Sequence, residues 1–148
     1  MNRCNKLNAA CCNCIVGRGA EFGPGLVFVH STGIVINGRV RGGSDVTLYH
    51  QVTLGGERNE VPALGDGVLV GAGAKVIGRL RVGDGARVGA NAVVVRDVPP
   101  LCTAVGVPAR VVRRPADAGP AADRPSMPRP PRAAETVLPH LGSSTLAD

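Results

Sequence analysis

One residue in six organises this chain. From Val16, steps of six reach Phe22, Phe28, Ile34, Val40, Val46, Val52, Arg58, Leu64, Val70, Val76, Val82, Val88 and Val94. Thirteen of these fourteen positions carry a bulky apolar side chain, and only Arg58 interrupts them. An α-helix repeats its buried face about every 3.6 residues and a half-buried strand every second residue. Neither produces a period of six. Six residues hold one short strand and one corner, so the period predicts an all-β solenoid whose coils stack on one another.

The other positions of the hexad agree. Glycine often follows the apolar residue (Gly17, Gly23, Gly65, Gly71, Gly83, Gly89), and small residues often stand four places after it (Ala20, Thr32, Ser44, Ala74, Ala86, Ala92). The expected object is a narrow prism. The bulky residue fills its axis, the small one lets the next wall approach, and glycine or a polar residue turns a corner that needs positive φ. The Val and Ile bias suits short pleated strands. The cleanest units are VGAGAK (70–75), VGDGAR (82–87) and VGANAV (88–93), with LGDGVL (64–69) and VGRGAE (16–21) close behind. These units resemble the hexapeptide-repeat family, which implies a left-handed parallel β-helix with three hexads to each triangular coil. The fourteen hexads of residues 16–99 would then make between four and five coils.

Composition bounds the rest. With no Trp, one Tyr and two Phe, a core built on aromatics is excluded, whereas a thin solenoid needs none. The formal net charge is +6; residues 113–148 hold five Arg and four acids, so about +5 remains on residues 1–112. That field suits a phosphate-bearing ligand. No basic run is interleaved with aromatics, so nucleic acid is not an expected partner. No apolar stretch approaches the ~18 residues of a membrane helix, and the start lacks the sustained apolar segment of a secretory signal, so a cytoplasmic protein is expected. Cys4, Cys11, Cys12 and Cys14 crowd a leader at residues 1–14. Cys11 and Cys14 have CxxC spacing, but Cys4 and Cys12 complete a metal set awkwardly, and no metal is expected. Cys102 stands alone and reads as packing. The repeat domain is expected at 15–112. Residues 113–148, rich in Pro, Ala and charge without a period, read as an extended or disordered tail.

A more specific resemblance is to the serine acetyltransferases among CoA-dependent O-acyltransferases. It is carried by HSTGIVI (30–36), DVTLYHQVTLGG (45–56), GAGAKVIG (71–78), GANAVVVRDVPP (89–100) and GVPARVV (106–112). This resemblance implies acetyl transfer from acetyl-CoA to a small-molecule hydroxyl, with L-serine as the favoured acceptor and a homotrimer as the working unit. It makes His30 the general base. The chemistry requires such a group, because a hydroxyl must lose its proton as it attacks a thioester, and imidazole is suited to that exchange near neutral pH. His30 lies two positions after Phe28, at a corner, so its side chain should point away from the axis. His50 reads as a small-residue position four after Val46, beside Tyr49, where a histidine is a satisfied interior or trimer-interface group, with contact to substrate as the second reading. The resemblance also implies a CoA groove walled by Gly56, Ala72 and Ala90, with Lys75 and Arg110 as cations for its phosphates.

The departures from the family pattern are local. Where the family carries an Asp fifteen residues before the base, this chain has Ile15; where it carries one immediately before, this chain has Val29. The Arg-His-Pro triplet that helps the family hold the amino acid is replaced by Glu60, Val61 and Pro62. Glu21, Glu57 and Glu60 are candidate substitutes for the orienting carboxylate. A sugar or other metabolite hydroxyl therefore stands beside serine as an acceptor, and a catalytically degenerate trimeric scaffold stands beside the enzyme. A γ-class carbonic anhydrase site on the same scaffold would need three histidines on zinc, and the repeat holds only His30 and His50.

Overall fold

The computed structural model describes residues 13–57 and 60–112. Arg58, which interrupts the period, lies outside them, as do Cys4, Cys11 and Cys12 of the leader and the whole of 113–148. Strands are numbered along the chain. The first turn is β1 (Ile15–Val16), β2 (Glu21–Phe22) and β3 (Val27–Val29), and the second is β4 (Val35–Ile36), β5 (Arg41–Gly42) and β6 (Thr47–Tyr49). The third is β7 (Thr53–Gly55), β8 (Ala63–Leu64) and β9 (Leu69–Val70), and the fourth is β10 (Lys75–Ile77), β11 (Arg81–Val82) and β12 (Arg87–Val88). Strands β13 (Val93–Val94) and β14 (Thr103–Val105) begin a fifth, and β15 (Arg110–Val112) folds back against β14.

Every third strand stacks on the same face. The first face runs β1-β4-β7-β10-β13, the second β2-β5-β8-β11, and the third β3-β6-β9-β12-β14-β15. All pairings are parallel except the closing β14–β15 hairpin. This is the parallel β-helix that the repeat predicts: each coil is too thin to bury its own apolar side chains, and the stack buries them in one continuous axis. Ile34, Ile36, Leu48, Leu54, Val70, Val76 and Val88 are all almost wholly buried there, and each contributes on the order of 1.5–3 kcal/mol. Cys14, grouped with the leader by composition, is buried in this core. No described helix is long and apolar enough to cross a membrane.

The phase of the repeat differs from the expectation. On the third face Val27, Thr47, Leu69, Arg87 and Thr103 pair in turn, at spacings of 20, 22, 18 and 16 residues. The first excess lies at one corner. Val29 pairs with Tyr49, an offset of 20, yet the Gln51 N–H donates to the Thr32 carbonyl and Val35 pairs with Thr53, an offset of 18. His30 and Ser31 are therefore a two-residue insertion. The second excess is the loop after β7: Gly55 pairs with Ile77 at an offset of 22, and Ala63 with Arg81 at 18, so four further residues are inserted. Together the two insertions amount to one whole hexad, and the six-step run passes through both almost unbroken. In consequence Ile34 and Val52 stand in the column of Ala74 and Ala92, the place expected for small residues. The axial column instead runs Val16, Ile36, Leu54, Val76 and Val94.

The role of the repeat glycines is also corrected. Most positive-φ positions lie three places after the axial residue: Gly25, Asp45, Gly67, Gly85 and Leu101 at one corner, and Gln51, Gly73 and Asn91 at another, where Gly33 joins them five places after Phe28 because of the insertion. The glycines directly after the axial residue serve close approach between coils. A Cβ on Gly71 would lie 2.7 Å from the Ala90 nitrogen and 2.9 Å from the Val88 carbonyl oxygen, so backbone fills the space a side chain would need.

Candidate functional site

The corner between the third and first faces gathers most of the residues singled out above. The third-face strands all end there, and the chain turns once per coil before the first face begins. The turns are stitched vertically: Gln51 N–H to Thr32 O at 2.8 Å, Gly73 N–H to His50 O at 2.9 Å, and Asn91 N–H to Ala72 O at 2.8 Å. Thr32, His50, Ala72 and Ala90 thus form one column along the edge of the prism. His30 and Ser31 are the two residues that bulge from this edge in the second turn's approach.

His30 is exposed and adopts the left-handed conformation, with φ of +55°. For a non-glycine residue that conformation costs roughly 1–2 kcal/mol, and residues held so tend to cluster at functional positions. Its side chain stands clear of the axis, as the sequence predicts. His50 does not occupy the position assigned to it from Val46. It directly follows β6, in the corner column, one coil above the insertion. Its ring faces that of His30 edge to face, with centroids 6.2 Å apart and planes at 66°. His50 is half-buried, and its Nδ1 is buried with no hydrogen-bond partner among the described residues. Sequence reasoning missed this juxtaposition, although a signal was present. VFVH (27–30) and TLYH (47–50) both close a third-face strand with histidine, one rung apart.

The remaining candidates border the first face. Ala72 and Ala90 sit on its leading edge, and Gly56 follows β7 at its far edge, where a Cβ would run into the Glu60 carbonyl. Lys75 begins β10 on the outer side. Its ammonium donates to the Gln51 carbonyl at 2.7 Å and the Gly73 carbonyl at 2.9 Å, so it braces the corner and keeps one of its three donors. Arg110 is exposed at the start of β15, just past the turn whose Ala109 N–H bonds the Val93 carbonyl at the end of the first face. The substitute carboxylates are elsewhere. Glu21 lies on the second face, 3.1 Å from Arg41 in an ion pair, and Glu57 and Glu60 flank the loop at the opposite edge of the first face. Ile15 is exposed on the first face and Val29 pairs in β3, so neither position offers His30 an acceptor. A concavity of about 270 Å³ lined by Arg81, Asp84, Asp97 and Pro100 lies at the second face and includes no candidate residue.

Comparisons with known proteins agree with the fold. The family model for the bacterial transferase hexapeptide (six repeats) matches residues 62–96. A serine acetyltransferase of Mycobacterium tuberculosis is 46% identical over 108 residues, 69% of this chain and 47% of that protein. One from Helicobacter pylori is 49% identical over 100 residues, 65% of this chain and 58% of that protein. Among solved structures, a serine acetyltransferase in complex with CoA superposes with a TM-score of 0.70 at 40% identity, covering 73% of this chain and 46% of that one. The chain spans about half the length of the curated relatives it matches. The six-residue period, the three-faced prism and these relatives lead to one conclusion: residues 62–96 carry the bacterial transferase hexapeptide repeat, and the solenoid is similar to that of the serine acetyltransferases.

Proposed function

We propose that the protein is an acetyl-CoA-dependent O-acetyltransferase with His30 as general base and L-serine as the favoured acceptor. The observation that carries the reading is the position of His30, an exposed imidazole on an insertion at the edge where the Ala72 and Ala90 column meets the first face. In this reading the acceptor hydroxyl oxygen attacks the thioester carbonyl carbon while His30 takes its proton. The tetrahedral oxyanion then collapses, the C–S bond breaks, and the imidazolium returns the proton to the departing CoA sulfur. No group is held covalently on the protein. Backbone N–H groups supply the donors for the oxyanion. Ala72 and Ala90 leave room for the pantetheine arm, Arg110 meets phosphate, and Lys75 contributes charge to the same region, whereas the space beside Gly56 is taken up by the Glu60 carbonyl.

The site is read as lying between neighbouring prisms of a homotrimer. Ile15 and Val35 leave apolar side chains 52% and 39% exposed on the first face, a surface suited to a second copy. A sugar or other metabolite hydroxyl is the second reading of the acceptor. Where the family triplet has Arg and His, this chain has exposed Glu60 and half-buried Val61, so these two positions offer the carboxylate of an α-amino acid no cation.

The test is release of free thiol from acetyl-CoA with serine, homoserine and hexoses as acceptors. His30→Ala should lower turnover at least ~100-fold while leaving CoA binding nearly intact. An unchanged rate removes His30 from the mechanism. No thiol release with any acceptor favours the scaffold.

A further inference from the structure

A base that must point at a substrate needs something to hold it, and among the described residues the ring that faces His30 is that of His50. The His30 backbone lies in the two-residue insertion, outside the inter-strand ladders, and its ring is exposed. His50 is the reverse case. Strand β6 pairs with β3 on one side and β9 on the other, the His50 carbonyl accepts the Gly73 N–H, and the next residue, Gln51, is held through both its N–H and its carbonyl. A rigidly placed imidazole thus faces a loosely tethered one at 6.2 Å between centroids. The rigid ring carries a buried Nδ1 with no described partner. A buried ring nitrogen left unpaired is unfavourable, so the site is arranged for a donor to reach it.

We propose that His50 is the positioning residue for His30, accepting at Nδ1 a direct hydrogen bond from one ring N–H of His30 once the exposed ring turns toward it. This rests on the reading of His30 as the base. Neutral imidazole has one donor and one acceptor nitrogen, and the partner of the donor selects the tautomer. With its N–H held by His50, His30 presents the lone pair of its other nitrogen to the acceptor hydroxyl. When that nitrogen takes the hydroxyl proton, His30 becomes a cation with two N–H donors, and the bond to His50 becomes charge-assisted and stronger. When the proton passes to the CoA sulfur, the neutral pair is restored. His50 itself gains and loses no proton; it carries one on Nε2 throughout. A histidine thereby fills the place that Ile15 and Val29 leave without a carboxylate.

Three variants of the full chain test this, with acetyl-CoA and L-serine as substrates and ring-nitrogen NMR as a readout that needs no acceptor. His50→Phe keeps the ring shape but removes the acceptor. It should lower kcat about 10- to 100-fold with the KM for acetyl-CoA within twofold of wild type. His50→Gln, which retains an acceptor oxygen, should keep kcat within about fivefold. In wild type the His30 ring should show one dominant tautomer, and in His50→Phe a mixture. Wild-type kcat in His50→Phe, or a His30 tautomer unchanged by that substitution, overturns the proposal. Should His50→Phe fail to fold, an equally large kcat loss in a folded His50→Gln, with His30 still in one tautomer, overturns it. His30→Ala separates the two layers. Full activity there removes the base itself, whereas an inactive His30→Ala beside a fully active His50→Phe removes only the pairing.

Discussion

Excising His30 and Ser31 together should leave a protein that folds at least as well as wild type and has lost its chemistry. The structure supplies the reasons. In the rungs above, Tyr49 joins His50 and Gly71 joins Ala72 across the same corner by a single peptide bond. In the excised chain Val29 would join Thr32 in the same way, and Thr32 already accepts the Gln51 N–H as its counterparts accept theirs. Every pairing of β3 with β6 and of β4 with β7 survives, with the first coil shortened to eighteen residues. On the favourable side, the excision removes a left-handed non-glycine residue, worth roughly 1–2 kcal/mol, and the ordering of two backbone units at about 1–2 kcal/mol each. On the other side, it removes the 3.4 Å hydrogen bond from Ile34 N–H to Ser31 O, the facing of His30 on His50 and the packing of half-buried Ser31. These offset most of the gain, leaving a net stabilisation of about 1 kcal/mol, which for a domain of this size raises Tm by about 4–8 °C. Thermal melts followed by far-ultraviolet circular dichroism would measure it, with thiol release from acetyl-CoA measured in parallel. A Tm lowered by more than about 5 °C, or a broad non-cooperative melt, would show that the two residues belong to the coil and that the register argument is wrong. Retained activity would show that the base lies elsewhere.

Two further outcomes follow from the packing. Leu54→Ala removes three carbons from a wholly buried side chain stacked between Ile36 and Val76. Transfer accounts for about 2.4 kcal/mol, and walls held by ladders on both sides cannot collapse into the void, so the total should be about 3–4 kcal/mol. A urea midpoint shift equivalent to less than about 1.5 kcal/mol would contradict this. Lys75→Met removes the ammonium that bonds the Gln51 and Gly73 carbonyls, and should cost about 1 kcal/mol of stability with the acetyl-CoA KM changed by less than about threefold. An unchanged Tm with a KM raised more than tenfold would make Lys75 a phosphate contact instead of a brace.

The prism itself was legible in the sequence, and so was the exposed setting of His30. Six-residue periodicity is a local pattern, and an axis too thin for large rings demands small branched side chains at regular intervals. His30 could be placed at a corner from its distance to Phe28 alone. The partner of His30 was not legible. An interval count modulo six cannot see insertions that together make one hexad, so the two residues at the corner and the four in the loop cancelled in the sequence. That displaced the assigned position of His50 by two places. The same blindness hid the commitment of Lys75, because its acceptors belong to corners that only stacking brings beside it.

By itself, then, the sequence determined that the chain winds into a solenoid and where one reactive side chain leaves the tube. Only the tertiary structure decided the rung-to-rung register, and with it that a second imidazole stands over the first. The physical reason is range. Side-chain periodicity is set by neighbours a few bonds apart, whereas register is set by backbone hydrogen bonds between coils some twenty residues apart, whose partners depend on every insertion in between.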